Sequence, residues 1–326
     1  MKLERVSCPR CHNETSREML SGEDYLYEVP GVFHVAECGD CGLWFQNPRP
    51  APADLAGLYP GDYGPHAPAK AGEPAPMPSR VRLPQRIVNA IRWRLRRLDP
   101  LRRHALATSL MPALISGGSI LEIGCASGAR LMELRRQGWG LVHGIEIVPA
   151  AADRARALGF NVICGMAEEA LDAIPDHTLD AVISSMVLEH LYDPFTVVRK
   201  ISAKLKPGGQ FLFSTIVRDS LDARLYGRYW AGFDFPRHMV HLTREDICRM
   251  LSERFTQVRI IHQVAPVDFV RSSSWRIRRG DGRLVDKMFI ALGESLPARL
   301  FNLALAYMNR TTRVSVYCRR KSLGNA

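Results

Sequence analysis

From Ser119 onward the chain alternates short apolar runs with helix-like segments, and this alternation limits its architecture more than any other feature. Strands and helices at such spacing build a parallel sheet with crossover helices on both faces. The apolar runs are SILEIGCA, LVHGIEIV, NVICG, LDAVISS, QFLFSTIV, TQVRIIHQV and RVSVYCRR. They are continuous rather than alternating, as strands covered on both sides are. ARLMELRRQ reads as a helix stopped by Gly138, and PAAADRARAL as a helix with Pro149 in its first turn and Gly159 at its end. PFTVVRKISAKLK reads as a helix opened by Asp193-Pro194 and stopped by Pro207-Gly208-Gly209. Thr243 opens another, with Asp246 three residues on in the manner of a capping box. Between the sixth and seventh strands an insert, about 268–312, carries LVDKMFIALGESLPARLFNLALAYMN, which predicts two apolar-faced helices broken at Pro297. A helical cap, a partner surface or a shallow membrane contact would each account for it.

The segment Leu121-Glu122-Ile123-Gly124-Cys125-Ala126-Ser127-Gly128 leads a strand into a turn of small residues. Small residues let the backbone approach a ligand, and the next helix points its N-terminus there. Glu146 ends the second strand, 24 residues after Glu122. An acid at that point can accept hydrogen bonds from both ribose hydroxyls of a nucleoside. Met166 and Ala167 follow the third strand, where they would sandwich an adenine ring or simply pack. The fourth strand runs into Ser184-Ser185-Met186-Val187-Leu188-Glu189-His190-Leu191, at the strand ends where open α/β sheets bind ligands. The rival for this turn is an NAD(P) dehydrogenase. Its second glycine would fall on Ala126, while Ala129 is tolerated at the third place, so the turn alone separates the two weakly.

Ahead of this domain, Cys8-x2-Cys11 and Cys38-x2-Cys41 are separated by 26 residues. Two such pairs supply four thiolates for a tetrahedral Zn²⁺, and a filled four-cysteine set leaves no open position, so the site is expected to be structural. About sixty residues with little core gain folding free energy from such an ion. His12 and His34 are alternative ligands or bystanders. No run approaches the ~18 apolar residues of a membrane span, and MKLERVSCPR lacks the apolar core of a secretory signal. A cytoplasmic location is expected, with thiols rather than disulfides. Residues 61–79 read as a Pro/Ala/Gly linker. Arg80–Arg103 holds nine arginines and one acid, +8 of the chain's net +11. That run is either a surface for phosphate, nucleic acid or anionic lipid, or a solvated helix face. The expected domains are 1–60 (zinc module), 61–109 (linker and basic helical segment), 110–267 (catalytic), 268–312 (helical insert) and 313–326 (last strand and C-terminus).

Taken together, ILEIGCASG, the acid in GIEI, VLEHLYDP and the LKPGG turn resemble class I S-adenosylmethionine (SAM)-dependent methyltransferases over about residues 110–265. The resemblance implies a Rossmann-like, doubly wound seven-stranded α/β sheet whose last strand is antiparallel, with a small N-terminal zinc module. It implies that Glu122, Gly124, Ala126 and Gly128 line the methionine part of SAM and that Glu146 binds its ribose. Ala126 departs from the commoner glycine. The N-terminal segment, with Gly42-Leu43-Trp44-Phe45-Gln46-Asn47-Pro48-Arg49-Pro50 and then Tyr59 and Tyr63, is similar to the zinc-bearing branch that includes sugar and secondary-metabolite methyltransferases. There the module helps cover the substrate pocket, and Tyr59 and Tyr63 are lid candidates or loop aromatics.

Methyl transfer is an in-line displacement, so a nucleophile must be aligned and often deprotonated. Glu189, His190, His238 and His241 are candidate bases, and the resemblance favours Glu189-His190. The run Trp230-x-Gly232-x-Asp234-x-Pro236-Arg237-His238 adds Asp234 and Arg237 as second-choice site residues, or as a structural pair. No D/N-P-P-Y/F run follows strand four, where SMVLEH stands, and no Pro-Cys nucleophile occurs. Both absences count against nucleic-acid bases. The expected activity is SAM-dependent methylation of a small-molecule acceptor: a sugar, glycan precursor or secondary metabolite. The alternatives are an RNA or protein methyltransferase docked through the arginines, including Arg92, Arg94, Arg96 and Arg97, and a non-catalytic SAM-binding scaffold.

Overall fold

The computed structural model describes residues 1–59 and 99–322. The linker, Tyr63 and most of the arginine-rich segment, including Arg92, Arg94, Arg96 and Arg97, lie outside the described residues. Thirteen strands are described. β1 (Leu3–Glu4), β2 (Ser16–Gly22), β3 (Phe33–Cys38), β4 (Trp44–Gln46) and β5 (Arg49–Pro50) belong to the N-terminal segment. β6 (Ser119–Ile123), β7 (Leu141–Glu146), β8 (Asn161–Cys164), β9 (Leu179–Ser185), β10 (Leu205–Ile216), β11 (Val240–His241), β12 (Phe255–His262) and β13 (Arg313–Arg320) follow.

The main sheet has seven strands in the order β12-β13-β10-β9-β6-β7-β8. β10, β9, β6, β7 and β8 run parallel, and β13 lies antiparallel between β10 and β12. The predicted antiparallel last strand is therefore present. Side-chain alternation divides each central strand between two cores. Leu121, Ile123, Val182, Phe211 and Phe213 pack into one cluster, while Ile120, Ala181, Ile183 and Leu212 pack into the other. Because both faces are covered, the strands read as unbroken apolar runs. The chain leaves β6 toward β7 on one side, while β9 pairs with its other edge. This switch in direction opens a crevice at the carboxyl ends.

The N-terminal strands form a two-stranded pair, β1-β5, and a four-stranded antiparallel sheet, β11-β4-β3-β2. The edge strand of that sheet, β11, comes from far down the chain, with Val240 opposite Phe45 and His241 opposite Trp44. Cys8, Leu43 and Phe45 share a core with Val240, Leu242 and Ile247. Arg237, fully buried, fastens the same junction. Its guanidinium donates to both Asp24 oxygens at 2.8 Å and to Asp234 at 2.7 Å. Asp24 in turn accepts from the backbone N–H groups of Leu26 and Tyr27.

Several local expectations hold and two are corrected. Asp193 caps the helix Pro194–Lys204, and Thr243 and Asp246 form the capping box of Arg244–Ser252. Asp99 caps a further helix, Pro100–Thr108, whose bounds the sequence did not mark. The helix after Asp193 ends at Lys204, and Lys206-Pro207-Gly208-Gly209 lies within β10 as an irregularity between Leu205 and Gln210. The insert holds three helices, Val267–Arg278, Leu284–Leu292 and Leu296–Tyr307. The break between the last two falls at Gly293–Ser295, where Gly293 takes φ +53°; Pro297 sits in the first turn of the last helix, a position that needs no N–H. Phe269, Phe289 and Leu305 pack the insert against Phe33, Trp230 and Phe233. Among the described residues no single helix is long and apolar enough to cross a membrane.

Removing the Arg237 charge leaves the buried Asp24 and the part-buried Asp234 without their cation, a loss of about 3–5 kcal/mol. Arg237→Met should lower unfolding free energy in urea by that amount, and adding Asp24→Asn should recover part of it. An unchanged midpoint for the single variant would contradict the arrangement.

Candidate active site

The carboxyl ends of β6 to β9 surround a cavity of about 860 Å³, counting its open mouth, within the range of small-molecule sites. Gly124 approaches it because no other residue fits. Its φ is +75°, and a Cβ there would lie 2.5 Å from Val187 Cγ2. Ala126, at the position where glycine is commoner, takes the left-handed φ of +47° all the same. Its N–H donates to Glu146 Oε2 at 2.8 Å, while Oε1 accepts from Val148 N–H at 2.9 Å. The acid that ends β7 thus holds the glycine turn in place. Gly124, Ala126, Glu146, Met166 and Ala167 all line the cavity.

Two predicted cofactor residues stand elsewhere. Glu122 is buried, with Oε1 3.5 Å from Arg130 Nε. Burial, with Glu146 adding repulsion and Arg130 opposing, pushes its carboxyl up to about 7. Gly128 turns the chain into helix Ala129–Gln137 at φ +85°, and a Cβ there would press on Ala155 at 3.1 Å. Its glycine serves helix packing rather than the cavity wall.

Of the candidate bases, His190 lines the cavity. Its Nδ1 lies 3.1 Å from the Arg237 carbonyl and 3.0 Å from the Tyr59 hydroxyl. A proton on Nδ1, donated to that carbonyl, leaves Nε2 with its lone pair. Burial, with His238 beside it, lowers the His190 pKa to about 4. His238 stands edge-on to His190, ring centroids 4.5 Å apart, and its Nδ1 meets the Gly232 carbonyl at 2.8 Å. Burial lowers its pKa as well. Glu189 lies beneath, fully buried, where Thr215 Oγ1 donates to it at 2.7 Å and burial raises its pKa. Glu189, His190 and His238 bring one ligand-type atom each within 4.8 Å of one another. Burial alone would raise Asp234, but His238 and Arg237 hold it below the ordinary value. His241 is different: it is fully buried on β11, packs on Phe233 and has no hydrogen-bond partner on either ring nitrogen. Burial holds its pKa well below the ordinary value, which makes it a neutral core residue.

Leu55, Tyr59, Glu168 and Tyr192 also line the cavity, although the sequence singled out only Tyr59. Glu168 accepts from Tyr192 N–H at 2.9 Å. Nothing local marks Leu55, which the N-terminal segment brings to the cavity, whereas Tyr192 lies within the VLEHLYDP run.

The four cysteine sulfurs gather within 4.8 Å of one another. Cys8 and Cys41 lie 3.6 Å apart, Cys11 and Cys38 3.4 Å. These distances far exceed a disulfide's ~2.05 Å and approach the ~3.8 Å edge of a tetrahedron with Zn–S of ~2.3 Å. The two pairs share one backbone plan. His12 N–H donates to the Cys8 carbonyl and Gly42 N–H to the Cys38 carbonyl, and both residues have positive φ. Cys8 N–H and Cys38 N–H donate to Asn13 and Leu43 carbonyls, each at 2.9 Å. His12 and His34 are outside the sulfur cluster.

A methyltransferase-domain family model matches residues 91–255. The ubiquinone biosynthesis O-methyltransferase of Neisseria meningitidis (serogroup A) is 32% identical over 109 residues, covering 31% of this chain and 45% of that protein. The protein of the same name from Citrobacter koseri is 31% identical over 167 residues, 48% of this chain and 64% of that one. The chain thus spans about half the length of the curated relatives it matches. Among solved structures, a SAM-dependent methyltransferase from Archaeoglobus fulgidus aligns with a TM-score of 0.43 at 20% identity, over 71% of this chain and 93% of that one. Haemonchus contortus phosphoethanolamine N-methyltransferase 2 with S-adenosyl-L-methionine aligns with 0.44 at 17% identity, over 67% and 51%.

The raised pKa of Glu122 has a defined effect on stability. Its contribution is complete below the ordinary 4.5 and is lost as pH rises through about 7. Wild type should therefore lose on the order of 3 kcal/mol relative to Glu122→Gln between about pH 5 and about pH 8. Denaturant unfolding at both pH values measures this, and a pH-independent difference would contradict it.

Proposed function

The chain belongs to the methyltransferase-domain family, and on that premise we propose that it is a SAM-dependent methyltransferase acting on a small-molecule acceptor. The observation that carries this reading is the Glu146 carboxylate, set at the wall of the cavity over a turn too close for any side chain at Gly124. An acid at the end of the second strand, on the cavity wall, suits a ribose diol, and small residues at 124 and 126 leave room for the methionine part of the cofactor. Met166 and Ala167 flank the place for the adenine. When bound, SAM supplies an electrophilic methyl group on a sulfonium sulfur.

The remaining tasks fall to the chain. His190, neutral and with Nε2 free to accept, takes the acceptor's proton. His238 and the Arg237 carbonyl hold the ring in place, and Glu189 supports the loop from below, where its backbone carbonyl accepts from Met239 N–H at 2.7 Å. Tyr59 screens the ring from water. Oxygen is the favoured acceptor atom, in keeping with the names of the curated relatives. A sugar, glycan precursor or secondary metabolite is the favoured acceptor class, on the likeness of the N-terminal segment to zinc-bearing methyltransferases. The four cysteines hold one structural Zn²⁺.

Calorimetric titration tests the cofactor. SAM should bind with roughly micromolar affinity and NADH should not, and Glu146→Ala should abolish SAM binding. His190→Ala should keep SAM affinity yet lower kcat by about 10²–10⁴-fold on any acceptor found. A folded protein that binds no SAM would overturn the reading. For the metal, elemental analysis should find one zinc per chain. Cys38→Ser should lose it together with much of the thermal stability, as structural zinc sites do; full stability without the ion would refute that role.

A further inference from the structure

Two described features take no part in the proposed methyl transfer: the helical insert and helix Pro100–Thr108, whose Arg102 and Arg103 end the arginine-rich run of the sequence. Helix Leu296–Tyr307 buries Ala298, Asn302, Leu303, Leu305 and Ala306. Its opposite face should then be polar, yet Leu296, Leu300, Ala304 and Tyr307 follow one another at spacings of four, four and three, all exposed. Leu296 is 61% and Tyr307 66% exposed, with Phe301 and Met308 beside them. Helix Leu284–Leu292 repeats the pattern with Leu284 and Met288. The two helices meet at 109°, and each is shorter than the ~20 residues of a span. Apolar on their outer sides, they suit lying in an interface rather than crossing it.

Charge decides what covers this face. Arg283, Lys287, Arg299 and Arg310 are exposed along the same segment, against Glu294. Helix Pro100–Thr108 lies alongside, with the His104 and Tyr307 rings 5.5 Å apart. It adds exposed Arg102, Arg103 and Leu106, and Arg103 lines one groove with Tyr307. These arginines end the sequence run that carries +8. Apolar side chains set among cations with almost no acids match the chemistry of an anionic lipid surface.

We infer that the outer face of the 284–308 helices docks on anionic lipid headgroups, with Leu296, Leu300 and Phe301 entering the boundary of the acyl layer and the arginines on the phosphates. Arg299 also lines a second cavity with Arg130, Arg313 and Gln263, and that cavity shares Ser185 and Met186 with the one over β6. An acceptor held in the lipid layer would reach the site from this side. That last step rests on the proposed methyl transfer; the docking itself does not.

Sedimentation of the full chain with phosphatidylcholine vesicles, with and without phosphatidylglycerol, tests the inference. The wild type should bind the anionic vesicles and be released by salt. Leu300→Glu/Phe301→Glu should weaken binding by roughly tenfold or more, with SAM affinity and circular dichroism unchanged, and Arg102→Glu/Arg310→Glu should remove the preference for phosphatidylglycerol. Absence of wild-type binding to anionic vesicles would overturn the proposal. So would a dimer that Leu300→Glu/Phe301→Glu dissociates without changing vesicle affinity, since a second copy would then be what covers the face.

Discussion

One buried cation ties the molecule together. Arg237 lies with no solvent exposure between Asp24 and Asp234. A buried charge is tolerated only when its partners and geometry satisfy it, so the N-terminal turn at Asp24 and the loop at Asp234 are fixed to each other. His238 follows Arg237 directly, and the Arg237 carbonyl faces His190. Strand β11 begins three residues later and closes the N-terminal sheet. The cysteine cluster, the cavity wall at Leu55 and Tyr59, and the two site histidines are therefore positioned by one junction.

The site itself combines desolvated groups that differ in charge. Burial keeps His190 and His238 neutral, while the Arg237 guanidinium, donating directly to Asp234, favours its carboxylate form. Backbone carbonyls at residues 232 and 237 face one nitrogen of each imidazole. Such fixing of a ring by a carbonyl selects the tautomer and leaves the other nitrogen for chemistry. Tyr59, from the N-terminal segment, completes the arrangement on the cavity side.

How much of this was legible in the sequence follows from the range of each interaction. The central strands and the helix caps at Asp193 and Thr243 are written in contiguous residues, and the structure places them as read. The two cysteine pairs were legible from spacing, and their matching backbone turns follow from it. The Asp24–Arg237 pair spans 213 positions, and no local pattern marks Asp24. The pairing of Val240–His241 with β4 is likewise non-local, so His241 read as a candidate base when its environment is a core. Glu122 and Gly128 belong to a motif whose resemblance places them at a ligand, while here one pairs with Arg130 and the other packs on Ala155. The insert break moved from Pro297 to Gly293 because proline is tolerated in a first turn, whereas Gly293 takes a backbone conformation that ends a helix.

The most direct test is a crystal structure with S-adenosylhomocysteine. The account predicts the ribose hydroxyls on Glu146, the adenine between Met166 and Ala167, and the sulfur turned toward His190, with four cysteines around one zinc. A ligand bound elsewhere, or a ribose that ignores Glu146, would contradict it.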